Sequence, residues 1–448
     1  MDRTHVVAMP HPARGHINPM MNLCKSLASK RPHHILITFV VTEEWLGFIS
    51  SDAYPTNITF ATIPDNIIPS EKLHGADPNT FMMAVMTKMR APFEQILDGL
   101  HQPVTAIITD SFLLWAVDVG NCRNIPVAGL WTPSATVFSI SYHSDLLTEK
   151  GVPLDLEENA DYVLDFIPGI SSIRVADLPD VFVKNDQNIV NAEPFKLMVS
   201  KVQYFLFASI YELESQVFEV LKPKFNIPAY SVGPLIPYSS INSNDHQEPD
   251  YIKWLNSQPT SSVLYVSMGS LFSVSSAQMD EMVAGLKSSG VRYLWVGREH
   301  TSQLEDGCSD LGLVVPWCDQ LRVLCHSSVG GFLTHCGWSS TMEGAFAGVP
   351  MLTLPLFGDQ FPDSKQIVED WKIGRRLKEA VRDEKLVTRG EIAELVRNFM
   401  DIHGNERIEL VKRAKQVQII CQGAVAKGGS TDANIDAFMK DITQGHLH

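Results

Sequence analysis

Between Trp317 and Gln360, a span of 44 residues, the sequence concentrates side chains that could hold a nucleotide. Gly330-Gly331-Phe332-Leu333-Thr334 reads as a strand and His335-Cys336-Gly337-Trp338 as a turn. Ser340-Thr341-Met342-Glu343 then opens a helix with a Ser-x-x-Glu signature. A glycine-containing turn that feeds a helix N-terminus presents unpaired backbone N–H groups and the positive end of the macrodipole, which is where a phosphate binds. His335 and Ser340 can add hydrogen bonds, and Glu343, one turn into the helix, can accept two from the vicinal hydroxyls of a ribose. Asp359-Gln360 follow the strand expected over Met351–Leu354, at the carboxyl end where open parallel sheets hold ligands.

Other chemistries fit less well. Cys318, Cys325-His326 and His335-Cys336 are zinc-ligand types, but the adjacent pairs cannot easily aim both side chains at one ion and no Cys-x-x-Cys pair is present, so no metal site is expected. A dehydrogenase would carry Gly-x-Gly-x-x-Gly after a strand, and an NTPase a Gly-x-x-x-x-Gly-Lys-Ser/Thr loop; neither occurs. Gly337-Trp338-Ser339-Ser340-Thr341 lacks the final glycine of a hydrolase elbow, which leaves a serine esterase a poor second.

The elements that must position these residues alternate along the chain. An apolar run at Val6–Met9 leads through a Gly15-His16 turn to Asn18-Pro19, an N-cap with proline at the first helical position, and an apolar face of Met20, Met21, Leu23, Cys24, Leu27 and Ala28. Strands are expected over 35–41, 58–63, 105–109, 127–131 and 204–208, then over 263–266, 293–296, 312–315, 331–334 and 351–354. Continuous apolar strands alternating with helices imply parallel sheets covered on both faces. The polar, aperiodic stretch from Pro237 to Pro249 reads as a linker, dividing the chain into 1–236 and 250–428. Thr388 with Glu391 makes a capping box, and residues 429–448 can form a last helix that packs back on the first domain.

Composition agrees with two α/β domains. The 448 residues are 45% hydrophobic and 19% charged, as in ordinary globular proteins. A net charge of −15 repels phosphate backbones and anionic headgroups, so nucleic acid and membrane surfaces are poor partners. No run is long enough to span a membrane and no signal peptide opens the chain, which points to the cytosol. Seven scattered cysteines suit reduced thiols, and the Asn57-Ile58-Thr59 sequon is then not expected to be glycosylated.

With those residues in view, the 44-residue stretch resembles the signature of plant secondary-product glycosyltransferases, which use UDP-sugars and have the GT-B architecture of two Rossmann-like α/β domains facing a cleft. Trp317, Gln320, His326, Gly331-Phe332, Thr334 to Trp338, Ser340, Glu343, Gly348-Val349-Pro350, Pro355 and Asp359-Gln360 all stand where that pattern has them. The likeness extends to His11–Met20, Ile108-Thr109-Asp110 and Val266–Ser270. It implies that Trp317 stacks on uracil, that Gln320 and Glu343 bind the ribose, and that His335 and Ser340 hold the pyrophosphate with Gly337 and the turn's N–H groups, helped by Gly269-Ser270 or Ser273. Trp338, Asp359 and Gln360 would address the sugar, and Cys318 would lie among the donor contacts. Gln360 implies UDP-glucose, since the family tends to carry histidine there for galactose.

The resemblance also assigns the general base to His16 and its orienting carboxylate to Asp110. An imidazole with a pKa near 6.5 suits removal of the acceptor's proton at neutral pH. One displacement then inverts the anomeric centre, with UDP-sugar as substrate and neither cofactor nor metal. A non-catalytic UDP-sugar-binding protein would lack that pair. The acceptor would be a small hydrophobic alcohol, phenol or carboxylic acid, and the enzyme a monomer. Phe81-Met82-Met83, Met86 and Met89, with Phe112, Leu113 and Trp131, are either core or the wall of an acceptor pocket. Three positions depart from the pattern: Asp319 replaces a proline, Ser339 an asparagine and Met268 a phenylalanine.

Overall fold

The alternating pattern is realised as two parallel sheets in a computed structural model that describes residues 3–49, 54–70, 78–183, 192–238, 248–269, 274–297, 311–378 and 386–444. Ser270, Ser273 and positions 239–247 of the expected linker lie outside the described residues. The first half contains β1 (Thr4–Met9), β2 (Ile35–Thr42), β3 (Ile58–Ile63), β4 (Ala106–Asp110) and β5 (Val127–Trp131). After the small antiparallel pair β6 (Val163–Leu164) and β7 (Ile173–Arg174) come β8 (Tyr204–Phe207) and β9 (Ala229–Ser231). Seven of these form one sheet in the order β3-β2-β1-β4-β5-β8-β9. The second half contains β10 (Val263–Ser267), β11 (Arg292–Val296), β12 (Gly312–Val315), β13 (Val329–Thr334), β14 (Met351–Thr353) and β15 (Gly374–Arg376), ordered β12-β11-β10-β13-β14-β15. The edge strands β9 and β15 are three residues each, too short to show a period in the sequence.

The helices that matter for the site are α1 (Arg14–Lys30), α2 (Pro78–Lys88), α3 (Ala135–Tyr142), α4 (Gln320–Leu324), α5 (Trp338–Ala347), α6 (Gln360–Lys365) and α7 (Ser430–Gln444). α1 starts at Arg14, not at the expected Asn18-Pro19, and carries Pro19 inside it. Burial of Ile17 together with Met20, Met21 and Leu23 extends the apolar face one turn upstream, and this packing outweighs the local preference of proline for a first turn. His16 therefore sits on a helical turn instead of in a loop.

Each sheet is covered on both faces by apolar side chains. On one face of the first sheet, α7 contributes Ile435, Phe438, Met439 and Ile442 to a cluster that also holds Val6, Ile37, Leu130 and Leu206. Lys30 of α1 bonds Asp432 and Asp436 of α7 at 2.5 and 2.8 Å, so the chain's last helix lies on the half where the chain begins. Among the described residues, no helix is long and apolar enough to cross a membrane.

Candidate active site

Each sheet has one point where the strand order reverses, between β1 and β4 in the first and between β10 and β13 in the second. At such a point neighbouring connections leave on opposite faces and open a crevice at the carboxyl ends of the strands. His16, on the first turn after β1, and Asp110, the last residue of β4, meet at the first of these. His16 Nδ1 lies 2.7 Å from Asp110 Oδ2. The second carboxylate oxygen, Oδ1, accepts from the Phe112 backbone N–H at 3.0 Å, which locks the carboxylate's orientation. With Nδ1–H directed at Asp110, the His16 Nε2 carries the lone pair.

Burial, the largest single influence on His16, disfavours the imidazolium, but the charge and hydrogen bond of Asp110 and the charge of Asp359 outweigh it and its pKa is raised. Burial likewise works against the Asp110 carboxylate, and the charge and hydrogen bond of His16 overcome it, so its pKa is lowered. The sequence did not single out Thr132, whose hydroxyl is 3.0 Å from the same Nδ1. Its only signal was its place directly after β5. Around the pair, the rings of His11 and Phe112 lie 5.0 and 5.5 Å from that of His16, and Trp131 stacks on Phe112 at 5.4 Å. In the methionine-rich stretch of α2 and the residue after it, Phe81 and Met89 are core while Met82, Met83 and Met86 are exposed.

At the second reversal point β10 ends next to Gly269 and β13 next to His335. A Cβ on Gly269 or on Gly337 would come within 2.6 Å of His335 Nε2, so the ring fits only between two glycines, and Gly269 also has φ +79. Burial lowers the His335 pKa to about 4, so the imidazole is neutral at pH 7 and offers a phosphate a hydrogen bond without a charge. Gly337 is the N-cap of α5 and has no side chain to fill the first turn, leaving its N–H groups for a ligand. Ser339 is the second residue of that helix and half-buried.

Trp317 is 59% exposed, an indole face open to stacking. Beside it, Gln320 Nε2 donates to Glu343 Oε2 at 2.5 Å and to Ser340 Oγ at 2.9 Å. Tyr265, which sequence reasoning also missed, holds the other end of the amide through its hydroxyl, 3.1 Å from Gln320 Oε1. Burial pushes the Glu343 carboxyl up to about 7, against the effect of the Gln320 bond. Ser340, expected on the pyrophosphate, thus accepts from Gln320, and a hydroxyl that accepts one bond keeps its O–H to donate.

Two expected side chains face elsewhere. The Trp338 ring is 5% exposed, packs 6.0 Å from Trp371 and donates its Nε1–H to the Ala208 carbonyl of the first half at 2.9 Å. An indole N–H makes one bond, so this side chain joins the halves and has nothing left for a sugar hydroxyl. The Cys318 thiol is buried in the core 3.4 Å from the Tyr265 hydroxyl, and burial pushes it up to about 12. Only the backbone at these two positions can meet a ligand. His326, another residue of the stretch with zinc-ligand chemistry, is engaged separately with Asn256 and Ser328 at 3.0 and 2.8 Å. Among the described residues no three His, Cys, Asp or Glu gather as a metal site would require.

The departures from the pattern have local explanations. Asp319 is the N-cap of α4 and accepts from Arg322 N–H at 3.1 Å, so its carboxylate is occupied by a helix start. Met268 is core, packed with Leu264, Val266, Leu333 and Leu352. Asp359 and Gln360 open α6, and the charge of Asp359 is felt at His16, which brings the second half's loop up to the first half's base. Gln360 Oε1 accepts from Leu356 and Phe357 N–H at 2.8 and 3.1 Å, so what it can offer a ligand is its amide donors.

Residues 37–388 match the family model described as UDP-glucoronosyl and UDP-glucosyl transferase. The chain is 51% identical over 442 residues to UDP-glycosyltransferase 87A1 of Arabidopsis thaliana, covering 97% of this chain and 100% of that one. It is 49% identical over 445 residues to UDP-glycosyltransferase 87A2 of the same plant, covering 98% and 97%. Among solved structures, Phytolacca americana UGT2 complexed with UDP-2-fluoro-glucose and pterostilbene matches with a TM-score of 0.81 at 26% identity, over 98% of this chain and 99% of that one. Two parallel-sheet halves meeting at a cleft, a family match over most of the chain and near-full-length relatives lead to one conclusion: the chain belongs to the UDP-glucoronosyl and UDP-glucosyl transferase family and is a UDP-dependent glycosyltransferase of GT-B architecture.

Proposed function

We propose that this enzyme transfers glucose from UDP-glucose, with inversion, to a hydroxyl of a small hydrophobic acceptor. Membership of a transferase family removes the non-catalytic and esterase alternatives. The observation that carries the reading is the 2.7 Å contact of His16 Nδ1 with Asp110, which leaves Nε2 as a base at the mouth of the first half. The acceptor O–H gives its proton to Nε2 while its oxygen attacks the anomeric carbon. The bond from that carbon to the UDP oxygen breaks, and UDP departs with the electron pair. Asp110 stabilises the imidazolium that forms.

On the donor side Trp317 stacks on uracil and Gln320 with Glu343 takes the ribose. His335 and the first turn of α5 beside Gly269 take the diphosphate, whose growing charge the helix N-terminus stabilises. Asp359 and the amide of Gln360 address the sugar hydroxyls. The acceptor would lie against His11, Phe112 and the exposed methionines of α2, a wall that can adapt to an apolar ring system. The test is UDP release from UDP-glucose and UDP-galactose over a panel of phenols and terpenoid alcohols. His16→Ala should lower the rate by at least about a hundredfold while UDP still binds, in line with a general-base contribution of 10²–10⁴. Retention of more than about a tenth of the rate contradicts the assignment, and a preference for galactose removes Gln360 as selector.

A further inference from the structure

The loop between β14 and α6 is held from both halves of the molecule. From within, Gln360 Oε1 accepts from Leu356 and Phe357 N–H at 2.8 and 3.1 Å, and Gln360 N–H donates to the Phe357 carbonyl at 3.2 Å. The next N–H, that of Gly358, donates across the cleft to Asp180 Oδ2 at 3.2 Å. Asp180 belongs to the first half and is 4% exposed. Gly358 has φ +62, and a Cβ placed on it would meet no atom within 4 Å. No atom lies against Gly358 itself on that side, while Leu356 two residues earlier packs on the second half's core, so at Gly358 the bond to Asp180 ties the turn to the first half.

The support under Asp180 is itself anchored. Three residues earlier, the Asp177 carboxylate is fully buried and receives Arg174 Nε at 2.8 Å and Arg376 Nη2 of the second half at 3.0 Å. Val175, Leu178 and Phe182 pack around it with Ile140, Leu147 and Ile167 in a core of their own. Asp180 thus stands on a packed, ion-paired platform, and the Gly358 turn that it bonds leads directly into Asp359 and Gln360.

We propose that Asp180 is a positioning residue for the donor sugar: it holds the Gly358 turn from the acceptor half and so sets the placement of Asp359 and Gln360 against the sugar ring, without touching the nucleotide. This rests on the reading of a UDP-sugar donor. Trp317, Gln320, Glu343 and His335 stand on other elements, so the nucleotide contacts do not depend on this bond. The bond acts on the sugar only through the turn, so only part of the worth of a hydrogen bond to a carboxylate is at stake, a fall of about threefold to tenfold in whatever affinity depends on it.

The experiment is titration of wild type, Asp180→Ala and Asp180→Asn with UDP and with UDP-glucose, together with donor KM and kcat for both UDP-glucose and UDP-galactose. Asp180→Ala should lose about threefold to tenfold in UDP-glucose affinity, with a raised donor KM and a weaker glucose preference, while UDP binds as in wild type. Asp180→Asn keeps an acceptor oxygen and should restore most of the difference. Equal losses for UDP and UDP-glucose would make Asp180 merely structural and overturn the inference, as would an unchanged sugar contribution in Asp180→Ala. A wild type that releases no UDP from UDP-glucose or UDP-galactose with any acceptor would remove the donor-sugar reading itself, and this inference with it.

Discussion

At His16 burial and charge pull in opposite directions. Burial favours the neutral ring, while Asp110 at 2.7 Å and the more distant Asp359 favour the imidazolium, and the carboxylates prevail. A base works only when neutral, and a raised pKa means that it becomes neutral only at higher pH. The acidic limb of kcat/KM, which reports the free enzyme, should therefore lie above about pH 6.5, with activity lost as pH falls through it. Asp110→Asn removes the main charge that raises the pKa, so the limb should move to lower pH and the rate should fall by less than in His16→Ala. A pH–rate profile whose limb stays in place would show that Asp110 does not set the proton affinity. At this scale the sequence identified residue types well. His335 and Glu343 are legible from the strand, turn and helix start around them, and His16, Asp110 and Gln320 from the family resemblance; the structure brings His16 to Asp110 and Gln320 to Glu343. Where the Trp338 and Cys318 side chains point was not legible, because a side chain's direction depends on what the fold packs against it, here the Ala208 carbonyl and Tyr265.

Among the elements, the N-terminus of α5 has the clearest consequence. Its cap is a glycine, so the first-turn N–H groups have no side-chain partner from that residue, and Ser339 in the first turn has a shorter reach than the asparagine usual in the family. Ser339→Asn should bring an amide to the diphosphate and tighten UDP binding several-fold, corresponding to about 0.5–1.5 kcal/mol for one added hydrogen bond. Calorimetric titration with UDP checks this, and weaker binding would mean that the turn has adapted to serine. The capping box of Thr388 with Glu391 was legible from spacing alone and is present with both reciprocal bonds. The start of α1 was not, because a proline at position 19 argues locally for a later start, whereas Ile17 buried against the sheet demands an earlier one.

Across the whole molecule, the two halves are bound together by polar side chains of α6 and of Gln366 just beyond its end. Ser134 donates to Asp363 Oδ1 at 2.9 Å, and Gln366 donates to Thr136 and Glu214 at 2.6 and 2.9 Å. The chain's end strengthens the first half through Phe438, which is fully buried, with its ring 5.8 Å from that of Tyr204. Phe438→Ala should cost about 3–5 kcal/mol of stability, visible in urea unfolding, while UDP affinity at low temperature stays near that of wild type because the donor site lies on the other sheet. A loss below about 1 kcal/mol would mean that α7 is not an integral layer. Two α/β halves, most strands and the turn-to-helix frame of the nucleotide site are legible in the residues themselves, because apolar periodicity and a helix start are local properties written into consecutive residues. That Thr132 and Tyr265 bond site residues, that Trp338 joins the halves, and that Asp180 reaches Gly358 across the cleft emerges only from the folded packing. These contacts join residues from 55 to 178 positions apart, and no local pattern encodes them. They arise where two parallel sheets turn their reversal points toward one crevice and bring distant strand ends within hydrogen-bond reach.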